Sequence, residues 1–243
     1  MPSFKIMVKR SPIGSAAKSL YWGFFSAKAS ILSKDKEVVR TYMERPGKKK
    51  LQLGSGLRVL DGWLNSDYTP RNRQIVRVDA TGNYPFPDGT FDYIYTEHMA
   101  EHFSYAKGQA MLRECYRVLR NNGKLRISTP DLAFLMDLYR PDKTELQRQY
   151  LRWSTEDLSL DTAPSCEDTF VINNYVRDWG HTFIYDEKVL RFCLERAGFT
   201  DIRRFGVNKS DDPELRGIEN EGRMPEGFLQ LESLILEGTR KTS

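Results

Sequence analysis

Only three histidines occur among the 243 residues, His98, His102 and His181. An imidazole titrating near pH ~6.5 is suited to moving protons at neutral pH. His98-Met99-Ala100-Glu101-His102 also matches the inverted zinc-protease pattern, two histidines four apart on one helix face with a glutamate between them. His181 is the one further imidazole available to such a zinc ion. Zinc hydrolysis through His98 and His102 is therefore one reading, and general-base catalysis by His181 and His102 is another. The second is the expectation adopted, with no metal in the site. Either histidine can equally do no more than orient a loop through its ring nitrogens.

Carboxylates and glycines form a second group, spaced along four apolar stretches. Gly54-Ser55-Gly56 follows Leu51–Leu53, Asp67 closes Trp63–Asp67, Asp79 follows Gln74–Val78, and Glu97 with His98 follows Phe91–Tyr95. Such placement suits a nucleoside. One carboxylate accepts both ribose hydroxyls, the next accepts the exocyclic amine of adenine, and the glycines let backbone approach the ligand. Any one of these carboxylates alone could be a helix cap. Gly56 is followed by Leu57-Arg58-Val59, where a dinucleotide fingerprint needs a third glycine, and no GxxxxGK[ST] loop occurs. An adenosine ligand without phosphates therefore fits better than NAD or ATP.

These residues need elements to hold them. The five stretches Leu51–Leu53, Trp63–Asp67, Gln74–Val78, Phe91–Tyr95 and Lys124–Ser128 read as strands. Residues 105–120 read as a helix through Met111, Leu112, Cys115, Val118 and Leu119, and Asn121-Asn122-Gly123 supplies the turn out of it. Asp186–Ala197 reads as an amphipathic helix stopped by Gly198, and Asp201–Phe205 and Leu231–Glu237 complete the strands. The pattern predicts an α/β fold, a doubly wound, mostly parallel seven-stranded sheet with ligands at the carboxyl ends of its strands. Residues 131–180 break the rhythm, with helices at Asp131–Tyr139 and around Glu145–Trp153 followed by an acidic stretch to Asp168; they read as carrying an insertion, about 140–180, that caps the ligand face. Lys209–Gly227 reads as a long polar loop.

Charge divides the chain. Residues 1–50 hold 12 Lys/Arg against 3 Asp/Glu, whereas the remainder carries 25 against 30. The body is therefore acidic, and no nucleic-acid partner is expected. Residues 1–47 read as a basic arm, with Leu20, Tyr21, Phe24, Phe25, Ile31 and Leu32 at helical spacing, and residues 48–243 as the main domain. The arm could pack on the body, dock peripherally on an anionic membrane through residues 1–45, or be a signal peptide ending near Ala27-Lys28-Ala29. Cys115, Cys166 and Cys193 are odd in number and form no CxxC pair, which favours a reducing, cytoplasmic compartment.

The runs LQLGSG, GWLNSDY, VDA, PFPDGTFDYIYTEHMAEHF and RECYRVLRNNGKLRISTPD closely resemble the class I S-adenosylmethionine-dependent methyltransferases of the bacterial type-11-like group. The resemblance is strongest over residues 48–135 and continues in WGHTFIYDEKVLRFCLERAGF. It implies S-adenosylmethionine as cofactor, with Gly54, Ser55 and Gly56 near the methionine moiety, Asp67 on the ribose, Asp79 and Ala80 beside adenine, and Glu97 and His98 lining the methyl-donor pocket. Gln52 stands where many relatives carry an acid that helps hold the cofactor's amino group, and Asn121-Asn122 replaces a more usual Pro-Gly. The cap residues Asn173, Asn174, Tyr175, Arg177 and Trp179, close in sequence to His181, suit a small polar, sugar-like acceptor and O-methylation. Asn174, Arg177 and Tyr185 are the candidate acceptor contacts. The alternative class is a non-catalytic module that binds the cofactor or docks a partner.

Overall fold

The computed structural model describes residues 34–156 and 168–242. The chain divides into two units, Met1–Pro46 and Gly47–Ser243. In the first, residues 34–44 are helical, with Arg40 and Glu44 paired at 3.2 Å one turn apart. The predicted helix Leu20–Leu32, the signal-like run to Ala29, Cys166 and the acidic residues 157–167 lie outside the described residues. Among the described residues no helix is long and apolar enough to cross a membrane.

The second unit is built on seven strands: β1 (Lys50–Leu53), β2 (Leu64–Asp67), β3 (Ile75–Arg77), β4 (Phe91–Glu97), β5 (Leu119–Pro130), β6 (Phe199–Phe205) and β7 (Ser233–Arg240). Their spatial order is β3-β2-β1-β4-β5-β7-β6. The first five pair in parallel, and β7 runs antiparallel to both of its neighbours. Chain order reverses between β1 and β4, so the crevice at the carboxyl ends of those strands is the natural ligand site. Leu51, Ile75, Ile94, Leu125 and Ile127 are fully buried, as befits strands of a parallel sheet covered on both faces.

Among the described residues six α-helices follow β4: α1 (Tyr105–Val118), α2 (Leu132–Leu138), α3 (Glu145–Glu156), α4 (Asp168–Arg177), α5 (Glu187–Ala197) and α6 (Phe228–Glu232). Helix α1 buries Met111, Leu112, Cys115 and Val118, one apolar stripe at helical period. Helix α5 begins where the Asp186 carboxylate accepts from Val189 N and ends on Gly198 at φ 105. The strand–helix alternation read from the sequence does not extend to the first three strands, because residues 54–63, 68–74 and 78–90 contain no helix.

What covers the sheet near β1, β4 and β5 is instead segment 206–224, most of which falls in Lys209–Gly227, the stretch expected to be a polar loop. Tyr93 and Tyr95, two apart on β4 and hence on one face, pack with Trp63, Leu215 and Ile218. Acidic residues of the segment meet basic ones projecting from the strands: Lys50 with Glu214 at 3.1 Å, Lys124 with Asp212 at 2.9 Å and Arg126 with Glu219 at 2.6 Å. Polarity in this segment thus marks ionic docking rather than a free loop.

Two further boundaries differ from the sequence reading. Asn121-Asn122-Gly123 is not the turn out of α1, which ends at Val118. It lies within β5 at an irregularity where Phe91 pairs with Leu119 but Tyr93 pairs with Lys124. Asn122 takes φ 62 there, and a Cβ on Gly123 would lie 2.9 Å from the Arg120 carbonyl oxygen. The residues Asn173, Asn174, Tyr175 and Arg177 belong to helix α4, whose apolar stripe is too sparse to stand out in sequence.

Candidate active site

The Gly-Ser-Gly turn leaves β1 with Gly54 at φ 67 and Gly56 at φ 58, both in the left-handed region. Ser55 N donates to the Ser66 carbonyl at 2.9 Å, and Gly56 N donates to Asp67 Oδ2 at 2.9 Å, so the turn folds onto the end of β2. Thr69 N donates to Asp67 Oδ1 at 2.8 Å, which fixes the carboxylate while each oxygen retains accepting capacity. The neighbouring strand end is drawn in by Val78 N donating to the Asp67 carbonyl at 3.1 Å. Asp79 Oδ1 accepts from Thr81 N and Thr81 Oγ1, and these bonds, the backbone one foremost, hold its carboxyl below the usual range. Ala80 is buried, and its carbonyl accepts from Tyr84 OH at 3.1 Å.

The turn has room and polarity for a cationic ligand end. A Cβ on Gly56 would meet nothing within 4 Å, so its backbone is open to approach. Gln52 and Ser55 are buried, and Gln52 Oε1 and Ser55 Oγ have no hydrogen-bond partner among the described residues. Two unpartnered buried oxygens beside this turn suit the ammonium of the cofactor's methionine end. Gly54 is tied to its residue type differently: a Cβ there would lie 2.4 Å from Met99 Sδ and 2.8 Å from Met99 Cγ. At the end of β4, Glu97 Oε1 accepts from Asn220 N at 3.0 Å, and Glu97 Oε2 lies 3.4 Å from Arg58 Nη1. Arg58 in turn donates to the Ile218 carbonyl at 2.6 Å. Glu97 therefore links the strand end to the covering segment.

A cavity of about 410 Å³ has His98, the residue after Glu97, on its wall. Helices α2, α3, α4 and α6 share a core of Phe134, Leu135, Tyr150, Val171, Tyr175 and Phe228, from which Tyr150 and Tyr175 also line the cavity. Tyr150, Trp153, Tyr175 and Trp179 present aromatic surface to the cavity, and His98, His181, Arg223 and Glu232 present polar atoms. Glu232 is the hub of that polar set. Its Oε2 accepts from Tyr150 OH at 2.6 Å and from Tyr175 OH, and its Oε1 accepts from Arg223 Nη2 at 3.0 Å. Burial pushes both tyrosine hydroxyls well above their ordinary range, so they remain donors.

His98 lies on this cavity's wall with φ 46. Its Nδ1 accepts from Arg223 Nη2 at 2.8 Å, which leaves Nε2–H to face Ser233 Oγ at 3.0 Å. Burial, reinforced by Arg223, keeps its pKa well below the usual value and the ring neutral. The inverted zinc-protease reading therefore fails as geometry. Residues 100–102 form a single 3-10 turn rather than a helix face, and both nitrogens of His98 are engaged.

His102 and His181 do come together. Their ring centroids are 5.1 Å apart. His181 Nδ1 lies 2.8 Å from the Tyr175 carbonyl and His102 Nδ1 lies 3.2 Å from the Gly180 carbonyl. Because a carbonyl only accepts, each Nδ1 carries a proton, and in the neutral ring the lone pair is on Nε2. His181 is half-buried, and burial is the first cause of its lowered pKa. Residues 180–183 are latched to the turn by Thr182 N and Phe183 N, which donate to the Glu101 carbonyl at 2.7 and 3.1 Å. The Glu101 side chain is 0% exposed, its Oε2 accepts from Thr129 Oγ1 at 3.2 Å, and burial pushes its pKa up to about 7.

The remaining predicted acceptor contacts lie elsewhere. Asn174 is buried; in the amide orientation that satisfies both ends, its oxygen accepts from Trp179 Nε1 at 2.7 Å and its nitrogen donates to Asp178, so it braces a cavity wall. Arg177 is exposed on α4. Tyr185 is buried, edge-to-face with Phe183 at 4.8 Å between centroids, and packed so close to Gly108 that a Cβ there would lie 2.4 Å from its hydroxyl. Sequence reasoning missed Arg223, Glu232, Tyr150 and Trp153. No local signal marks them: Tyr150 and Glu232 are 82 residues apart and meet only through packing.

The sheet order with its single reversed strand, together with the glycine turn and carboxylates at the ends of β1, β2 and β3, defines the class I methyltransferase architecture. Residues 62–127, from the turn before β2 to within β5, match the family described as a methyltransferase domain. The chain thus carries a class I, type-11-like domain and is an S-adenosylmethionine-dependent methyltransferase. Among solved structures, a SAM-dependent methyltransferase from Thermotoga maritima is 16% identical with a TM-score of 0.44, the match covering 93% of this chain and 96% of that one. The YcgJ protein of Bacillus subtilis is 13% identical with a TM-score of 0.45, covering 87% and 99%. Phosphoethanolamine N-methyltransferase 2 of Haemonchus contortus is 10% identical with a TM-score of 0.42, covering 86% and 53%. With TM-scores below 0.5 these likenesses carry no argument about acceptor or mechanism. No curated protein matches the sequence.

Proposed function

We propose that the protein methylates a hydroxyl of a small polar, sugar-like acceptor held in the cavity beneath the cap. The carrying observation is the pairing of His181 and His102, each with Nδ1 committed to a carbonyl and Nε2 left with a lone pair, beside a cavity of aromatic faces and polar ends. Aromatic faces suit the apolar side of a sugar ring, while Arg223 and Glu232 supply hydrogen-bond partners for its hydroxyls.

S-adenosylmethionine, when bound, supplies a methyl group already activated by its sulfonium. On this reading Asp67 accepts from the ribose, Asp79 and Ala80 border the adenine, and Gln52, Ser55, Gly54 and Gly56 surround the methionine end. Glu97 positions the turn after β4 through Asn220 and Arg58. The acceptor oxygen would be held facing that methyl group, and His181, with His102 beside it, would relieve the hydroxyl of its proton. Alignment and exclusion of water by the aromatic cap supply much of the rate.

Incubation with methyl-labelled S-adenosylmethionine and fractionated small polar metabolites should label a hydroxylated compound through oxygen, as read by NMR of the product. Label on nitrogen or carbon would reject the hydroxyl reading. Cofactor binding with no label in any fraction would favour the binding-module alternative.

The acceptor is a small molecule in this reading, and the protein is cytoplasmic with its basic residues 1–45 resting on anionic membrane. The basic excess of residues 1–50 supports this. Anionic liposomes should float the full chain and leave a form lacking residues 1–45 in the dense fraction. Equal flotation of the two would end the membrane assignment.

A further inference from the structure

Glu101, His102 and His181 each offer a ligand atom, and these atoms lie within 4.8 Å of one another. The geometry points to a divalent first-row transition-metal site formed by these three side chains beside the acceptor cavity. Both imidazoles are already held in the manner of metal ligands, with Nδ1–H on a backbone carbonyl and Nε2 available.

The second observation is Glu101 itself. Its side chain is fully buried, and Oε1 has no hydrogen-bond partner among the described residues. That oxygen lies 4.0 Å from His102 Nε2 and 3.7 Å from His98 Nδ1, a nitrogen already occupied by Arg223. With both rings neutral and the Glu101 carboxyl ionised, acceptor atoms face acceptor atoms here. A bound cation is what such a set lacks. Metal–ligand bonds of ~2.0–2.2 Å set tetrahedral ligands about 3.3–3.6 Å apart, so the trio closes by about 1 Å on binding. Two imidazoles and one carboxylate suit zinc or iron(II) rather than calcium or magnesium, which prefer oxygen ligands, and they leave coordination positions open.

An open position would take the acceptor's hydroxyl oxygen and make it more acidic, as a metal does for bound water. In the metal-loaded protein the two imidazoles act as ligands and the proton leaves to water; in the metal-free protein His181 takes it. This role rests on the hydroxyl-methylation reading; the binding of the ion does not.

The full-length protein, stripped with chelator, is titrated with Zn²⁺ and with Co²⁺, whose visible absorption reports its ligands. One equivalent per chain is expected. Glu101→Gln and His102→Asn should each weaken binding by about 100-fold or more, beyond the ~10–100-fold that loss of an outer partner costs. Asn can preserve the donor to the Gly180 carbonyl, and His102 is at the surface, so His102→Asn should melt with the wild type. Failure of the wild type to retain metal, or equal binding by His102→Asn and Glu101→Gln, overturns the site. Because metal content is the readout, such a failure leaves hydroxyl methylation standing, with His181 taking the proton itself; absence of hydroxyl methylation would leave the metal result untouched.

Discussion

His181→Asn is expected to lower turnover by about 10²- to 10⁴-fold, the usual contribution of a positioned proton-transfer group, while cofactor affinity stays unchanged. The substitution is chosen for its geometry. An Asn amide nitrogen can stand in for Nδ1 and keep the bond to the Tyr175 carbonyl, whereas nothing replaces Nε2. His181 stands near Tyr175 and Trp179, at 5.4 and 6.0 Å between ring centroids. A general loosening of the cap would therefore lower the melting temperature and raise KM together. Loss of a group that acts on the hydroxyl lowers kcat with the melting temperature intact. Once the acceptor is identified, steady-state kinetics and cofactor titration on the same preparation decide it, and an unchanged kcat removes His181 from the mechanism.

Arg126→Met should destabilise the fold by about 3–5 kcal/mol, the range for breaking a buried ion pair from one side. Arg126 is wholly buried on β5, and its five donors are all used. Nε and Nη2 reach the two Glu219 oxygens at 2.6 and 3.0 Å, and Nη1 reaches Glu237 Oε1 at 2.5 Å. The remaining donors go to the Lys209 and Gly206 carbonyls at 2.9 and 3.2 Å. Methionine fills much of the space and leaves two carboxylates facing each other without a cation. Urea unfolding measures the loss. Adding Glu219→Gln and Glu237→Gln to the same chain should recover part of it, because the stranded charges are gone. A single variant as stable as the wild type would show that Arg126 does not hold segment 206–224 to the sheet.

Both sites illustrate where sequence periodicity stops being informative. Segment 206–224 is rich in charged residues and reads as solvated loop, yet Asp212, Glu214 and Glu219 are bound to Lys124, Lys50 and Arg126 on the strands. Charge composition is the same for a free loop and for one docked by ion pairs; only the partner's position distinguishes them. Asn121-Asn122-Gly123 has the composition of a helix-terminating turn, and the pairing of β5 with β4 turned it into a strand irregularity. The close spacing of His98 and His102 in sequence suggested a shared ligand role. Arg223 and Ser233, more than 120 residues away, engage His98 instead.

The strand ends were legible because they are local. An apolar run followed by Gly-Ser-Gly, Asp67 or Asp79 shows both the strand and the group at its end within a few residues, and the parallel α/β order follows from the succession of such runs. The seven-stranded sheet and its ligand edge were determined at that level. The acceptor cavity was not. Its walls come from His98, Pro130, Trp153, Trp179, His181 and Met224 together with Tyr150, Tyr175, Arg223 and Glu232, and the last four meet only when the cap helices pack on α6. The lone pairs of His102 and His181 were likewise decided in three dimensions, since the carbonyls of Gly180 and Tyr175 fix which nitrogen carries the proton.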